Sequence, residues 1–211
     1  MNLERVPGLQ QLNPVARLEA PQVSLLSSVL SRVFYNEPHF VYLIPDEETR
    51  RTVSPRLFQA AIRASQIYGE IYTTDTAAGG ALWMSPEHDW TIARLLRMGM
   101  MGIPFNLEWG IFKRCLKLGA RVAEVRRQLA TGSHWYLMAL GVEKSRDEEE
   151  IAGALIEPVL ARADATGMSC YLETFNEKKL KFYKNHGFRI MGAGKIPGGP
   201  SFWAMTRAPT P

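Results

Sequence analysis

Cysteine and histidine are scarce in this chain, at two and four among 211 residues. Cys115 and Cys170 make neither a disulfide framework nor a metal knuckle, and free cysteines are ordinarily buried, reduced thiols. No apolar run approaches the roughly 18 residues that span a bilayer. The opening MNLERVPGLQQLNPVARLE lacks the apolar centre of a secretory signal. These absences lead to the expectation of a cytoplasmic protein with no membrane partner. Charge of one sign is also lacking. The net charge is +4, and the lysines and arginines are dispersed rather than gathered into a stripe. A nucleic-acid partner is therefore not expected. No spacing resembles a metal site, and no Ser/His/Asp or Cys/His set is legible, so no metal is expected.

What is present is an ordinary globular balance, with 46% hydrophobic and 22% charged residues. That composition fills a core, and the length implies a single domain over residues 1–211. The first dozen residues read as a loose arm. Leu26, Val29, Leu30, Val33 and Phe34 lie at helical spacing, and Glu37-Pro38 breaks that helix. A second helix fits 46–67, with Asp46 as its N-cap and Pro55 as a weak point. The period then changes. Residues 69–74 and 81–84 read as a hairpin, punctuated by Gly79 and Gly80.

Residues 85–133 form the longest stretch without a strand. Ile111, Cys115, Leu118, Val122, Val125 and Leu129 recur there at spacings of 4, 3, 4, 3 and 4, an amphipathic helix. The remainder alternates. A strand over 134–142 is followed by a helix over 149–166 and a strand over 169–173. A short helix over 177–186, closed by Gly187, precedes strands beginning at 188 and 201. Strand–helix alternation with short connections predicts an α/β fold built on a mixed sheet. Ligands of such sheets sit at strand C-terminal ends beside helix N-termini, here the loops 142–150 and 173–177.

The segments HWYLMALGV at 134–142, IAGALIEPVLARADATG at 151–167, YLETFNEKKLKFYKNHGF at 171–188 and GPSFWAMTR at 199–207 resemble the GCN5-related N-acetyltransferase (GNAT) superfamily. The nearest group is the one containing puromycin N-acetyltransferase. The resemblance implies a GNAT-like fold of six to seven strands flanked by helices. It implies a helical insertion between the third and fourth strands, over 85–133, and an acyl-donor half over 134–207. It also implies an acyltransferase that uses acetyl-CoA or another acyl-CoA and a small-molecule amine. A homodimer is an open assembly.

By resemblance, the backbone of Leu140, Gly141 and Val142 holds the acyl group and the pantetheine arm. Ala152 and Gly153 fall in the helix start that meets the pyrophosphate, Asn176 falls on the cofactor side, and Tyr183 faces the leaving thiolate. Glu173, at a strand C-terminal end, is a candidate to take the proton of the amine. The soft, aromatic stretch around Met98, Met101 and Trp109 is a candidate acceptor wall.

One departure is chemical. The family's pyrophosphate loop carries Gln or Arg and then Gly, where this chain has Asp147 and Glu150 within the run Asp147-Glu148-Glu149-Glu150. A carboxylate about 5 Å from a phosphate costs roughly 3 kcal/mol at an effective dielectric of about 20, and solvent softens that. Acids in a first helical turn also complement the helix dipole. A second reading follows: a repurposed GNAT fold that does not use CoA. It would be a binding module, or an enzyme with another donor such as a carrier-bound thioester.

Overall fold

The computed structural model describes residues 15–87, 109–145 and 147–210. Seven strands form one sheet in the order β1-β2-β3-β4-β5-β7-β6. They are β1 (Val15–Arg17), β2 (Gly69–Thr74), β3 (Gly79–Met84), β4 (His134–Val142), β5 (Ser169–Thr174), β6 (Arg189–Lys195) and β7 (Ser201–Arg207). Every neighbouring pair is antiparallel except β4 with β5. That parallel pair is joined by helix α5 (Glu148–Ala165), as a parallel connection requires. The mixed sheet expected from the sequence is thus present. The edge strand β1 is an addition: it is three residues long and pairs with β2 just beyond the expected arm.

Helices cover both faces. On one lie α1 (Val23–Val33), α2 (Pro38–Leu43) and α3 (Glu47–Tyr68). Leu26, Leu30, Phe58 and Ile62 pack there on Ile71 and Leu82 of the sheet. Helix α4 (Trp109–Leu129) continues that layer, with Val125 against Tyr171, Phe202 and Ala204. On the other face, Leu155, Ile156, Val159 and Ala163 of α5 pack on Trp135, Leu137, Cys170 and Leu172. Asp46 caps α3, accepting from the Thr49 amide at 2.8 Å. Arg207 binds Asp164 through two nitrogens at 2.6 and 2.7 Å, tying the end of β7 to the last turn of α5.

The element from 177 is not one helix. A 3₁₀ turn at Glu177–Lys179 leads into α6 (Leu180–Asn185). Gly187, at φ +83°, ends it in the left-handed conformation that glycine adopts without penalty. Pro38, read from the sequence as a break, is the first residue of α2, where a missing N–H costs nothing. Met98 and Met101 lie outside the described residues. Among the described residues, no helix is long and apolar enough to cross a membrane.

Candidate active site

The sheet carries two irregularities at its centre. First, β4 and β5 pair only from His134 with Ser169 to Leu137 with Leu172. Beyond that, β4 stays with β3 as far as Val142, and β5 stays with β7 as far as Thr174, so the two middle strands part. Second, Leu82 of β3 faces Ala139 of β4 while Trp83 faces Leu137, which leaves Met138 as an extra residue. Such a bulge takes backbone groups out of the ladder and re-aims the strand beside a site.

Two cavities occupy the gap. The larger, of about 250 Å³, is walled by Leu140, Gly141 and Val142 of β4 and by Glu148, Glu149 and Ala152 of α5. Asn176, Lys178 and Lys179 close it on the opposite side, with Phe182 and Tyr183 of α6. The second, of about 170 Å³, lies between Phe34, Glu37 and His39 on one side and Glu173, Thr174 and Phe175 on the other. Leu118 and Val122 of α4 complete it. Leu140, Lys179 and Tyr183 belong to both linings, so the cavities meet there.

The structure therefore brings Leu140, Gly141, Val142, Ala152, Asn176 and Tyr183 together on one cavity. Gly153 stands apart from them. A β-carbon there would come within 2.9 Å of His186 Nε2, so this glycine lets α6 close on α5. Trp109 begins α4, is 66% exposed, and stacks on Phe112 instead of lining either cavity. Tyr183 is buried, and burial raises its hydroxyl pKa, with the negative charge of Glu37 adding to the shift. Glu173 lines the second cavity, and its Oε1 is buried without a hydrogen-bond partner. Burial raises its carboxyl pKa, while Arg126 and the hydroxyls of Tyr136 and Tyr171 pull the other way.

Two residues here escape sequence reasoning. Glu37 precedes α2 without capping it. Its carboxylate instead accepts from Asn176 Nδ2 at 3.0 Å and pairs with Lys179 Nζ at 3.3 Å. No spacing rule connects residues 37 and 176. His39 stacks on Phe175, with ring centroids 4.6 Å apart, and meets Phe34 and Phe40 edge-on. Among the described residues its Nδ1 has no hydrogen-bond partner, and burial lowers its pKa to about 4, so the ring is neutral at pH 7. The other described histidines have local duties. His134 Nδ1 sits 2.9 Å from the Gly132 carbonyl at the far end of β4, and His186 Nδ1 sits 2.9 Å from the Phe182 carbonyl.

The walls fit one part of an acyl-CoA better than another. The stretch of β4 that has parted from β5 suits an extended amide-bearing arm such as pantetheine, while Gly141 makes room for Leu30, Val33 and Phe34, which a β-carbon there would meet at 2.9–3.1 Å. The start of α5 is different. Asp147 makes no side-chain cap, and Glu148 and Glu149 line the cavity where an anion would meet the helix N-terminus. Glu150, which takes the place of the family's glycine by sequence, is exposed and does not line it. Glu143 turns away and pairs with Arg32 of α1. Among the described residues, no group of three His, Cys, Asp or Glu is placed to hold a metal.

No family model matches this chain. Solved structures do. The histone acetyltransferase HPA2 and related acetyltransferase of Corynebacterium glutamicum is 22% identical, with 93% of this chain and 96% of that one covered and a TM-score of 0.62. Arylalkylamine N-acetyltransferase 2 of Aedes aegypti is 14% identical, with 93% and 99% covered and a TM-score of 0.64. The polyamine N-acetyltransferase of Drosophila melanogaster, which forms N-acetylagmatine, is 14% identical, with 92% and 99% covered and a TM-score of 0.53. In strand order, parted central strands and overall likeness, this chain has the fold of the GCN5-related N-acetyltransferases.

Proposed function

We propose that this protein is an N-acyltransferase that moves an acyl group from a thioester to a small-molecule amine. One observation carries the reading. Two cavities meet at Leu140, Lys179 and Tyr183 in the gap between β4 and β5, one suited to a donor arm and the other to an acceptor. The solved structures of similar fold include acetyltransferases of arylalkylamines and of polyamines, which supports an amine as acceptor.

The residues divide the chemistry as follows. The acceptor nitrogen must be neutral to attack, and Glu173 takes its proton directly or through a water. Burial makes this carboxylate a stronger base than an exposed one. Charge developing on the thioester oxygen needs a fixed N–H, and the backbone around the Met138 bulge supplies one. Tyr183 stays protonated well beyond neutral pH and donates to the leaving sulfur. Leu140, Gly141 and Val142 hold the donor arm, Ala152 lets it approach α5, and Asn176 orders the opposite wall.

The donor itself has two readings. An acyl-CoA is the family's donor. Glu148 and Glu149 favour a donor without a pyrophosphate at this point, such as a carrier-bound thioester. Turnover of an amine panel with acetyl-CoA and with S-acetylpantetheine, read as free thiol released, tests both. Transfer from either supports the acyltransferase. Faster transfer from acetylpantetheine selects the second donor, and no transfer from either refutes the enzyme reading.

A further inference from the structure

The acceptor cavity contains more hydrogen-bonding capacity than proton removal uses. Glu173 and His39 approach it from different elements, one at the end of β5 and the other in α2. Each keeps a buried polar atom without a partner, Oε1 of Glu173 and Nδ1 of His39. Buried polar groups left unpaired destabilise a fold, and a ligand that pairs them gains by it. The imidazole is also unusually constrained. Phe175 stacks on it at 4.6 Å and 28°, and Phe34 and Phe40 meet its edges at 5.9 and 5.1 Å. Among the described residues no hydrogen bond reaches its Nδ1, and these aromatic contacts orient the ring. Glu37 and Lys179, the charged groups that act on it, are paired with each other.

We propose that His39 accepts a hydrogen bond from the acceptor nitrogen, and that together with Glu173 it makes the site selective for primary over secondary amines. This rests on the acyltransferase reading, and the arithmetic is one of protons. A neutral primary amine attacks through its lone pair and carries two N–H groups. As the N–C bond forms and the C–S bond breaks, one proton passes to Glu173. The departing sulfur takes a proton from Tyr183, which solvent restores. The second N–H remains in the amide product, and His39 receives it. A neutral secondary amine has one N–H, which Glu173 removes. Its alkyl group would then face an imidazole with nothing to accept. A site built to bond an N–H rejects analogues that lack it far more strongly than an apolar pocket does. The buried ring is neutral at pH 7 and so has one acceptor nitrogen, which is Nδ1 when Nε2 carries the proton, the tautomer this proposal requires.

The test uses the full chain with benzylamine and N-methylbenzylamine. Wild type should favour the primary amine by about 100-fold in kcat/KM. In His39→Phe the preference should fall to a few-fold, through loss of the primary substrate alone. His39→Gln, which keeps an acceptor, should restore much of it. An unchanged preference in His39→Phe, or an equal loss for both amines, overturns the proposal. ¹⁵N spectra of the labelled imidazole give a second readout that needs no turnover. Benzylamine should shift the His39 signals and its N-methyl analogue much less, and equal or absent shifts overturn the selectivity. If neither thioester is consumed but the imidazole still discriminates the amines, the acyltransferase reading fails and the binding selectivity stands.

Discussion

Lys179 Nζ lies 3.3 Å from Glu37 Oε1, and the pair sits where the two cavities meet. Glu37 also receives the Asn176 amide at 3.0 Å, so one carboxylate holds the loop after β5 against the turn before α2. Glu37→Ala would leave Asn176 and Lys179 without this partner. The expected outcome is a loss of about 1–2 kcal/mol in chemical unfolding. A rise in KM for the acceptor should exceed any fall in kcat.

The donor site makes a charge prediction. Glu148→Gln/Glu149→Gln should tighten acetyl-CoA binding by about tenfold at low salt, and less at high salt because exposed charges are screened. The same change should leave S-acetylpantetheine binding unaltered. Titration calorimetry of both ligands at two salt concentrations decides this. Glu150→Gly, the substitution that sequence comparison suggests, should do less, since Glu150 lies outside the cavity.

Tyr183→Phe removes one oxygen from a buried ring that lines both cavities. The expected result is a 10–100-fold fall in kcat with KM nearly unchanged. Because its hydroxyl pKa is raised, its ionisation should not limit activity up to pH 10.

The pH dependence of rate and of stability should separate two buried groups. Glu173 must be deprotonated to act, and its pKa is raised. Activity should therefore climb with pH through a range above that of ordinary carboxylates, and Glu173→Gln should abolish this limb along with most of the rate.

In its pH dependence His39 acts on stability instead of rate. It is neutral when folded down to pH about 4 and takes a proton near pH 6.5 when unfolded. Stability should fall as pH drops from 6.5 to 4, and His39→Phe should flatten that window. Asp164, held at about 2 chiefly by its hydrogen bonds to Arg207, gives a separate loss from near 3.8 down to 2, which the variant should retain.

Gly153→Ala distinguishes packing from ligand contact. Its new methyl would press on the tip of His186 while alanine favours the helix by about 1 kcal/mol, so stability should change by less than about 1 kcal/mol as the imidazole shifts. Donor affinity should change little, because residue 153 does not line the cavity.

Much of this fold was legible from period alone. The 4-3-4 spacing in α4 and the apolar runs of β4 and β5 are local signals, and the structure places those elements within a residue or two of the sequence reading. The larger cavity was legible because its lining lies in one stretch, 140–183, whose pattern carries the family resemblance. The acceptor side was not. His39 reaches Phe175 across 136 positions of chain, and only tertiary packing creates that contact. The acidic run was visible, but not which carboxylates face inward. A helix turns about 100° per residue, and its exact start decides which side chains enter the cavity.

The bulge in β4 also interrupts the alternation of faces along that strand. Trp135, Leu137, Leu140 and Val142 all face the core beneath α5, at spacings of 2, 3 and 2. A regular strand would keep a spacing of 2 throughout. Met138 thus acts as a phase shifter, handing the strand from one parity to the other midway along its length. Deleting that single residue would make the spacings 2, 2 and 2, so the strand would run straight with the same four side chains still beneath α5. What would be lost is the bend itself: every side chain would keep its layer, while the backbone groups that the bulge frees beside the cavities would return to the ladder.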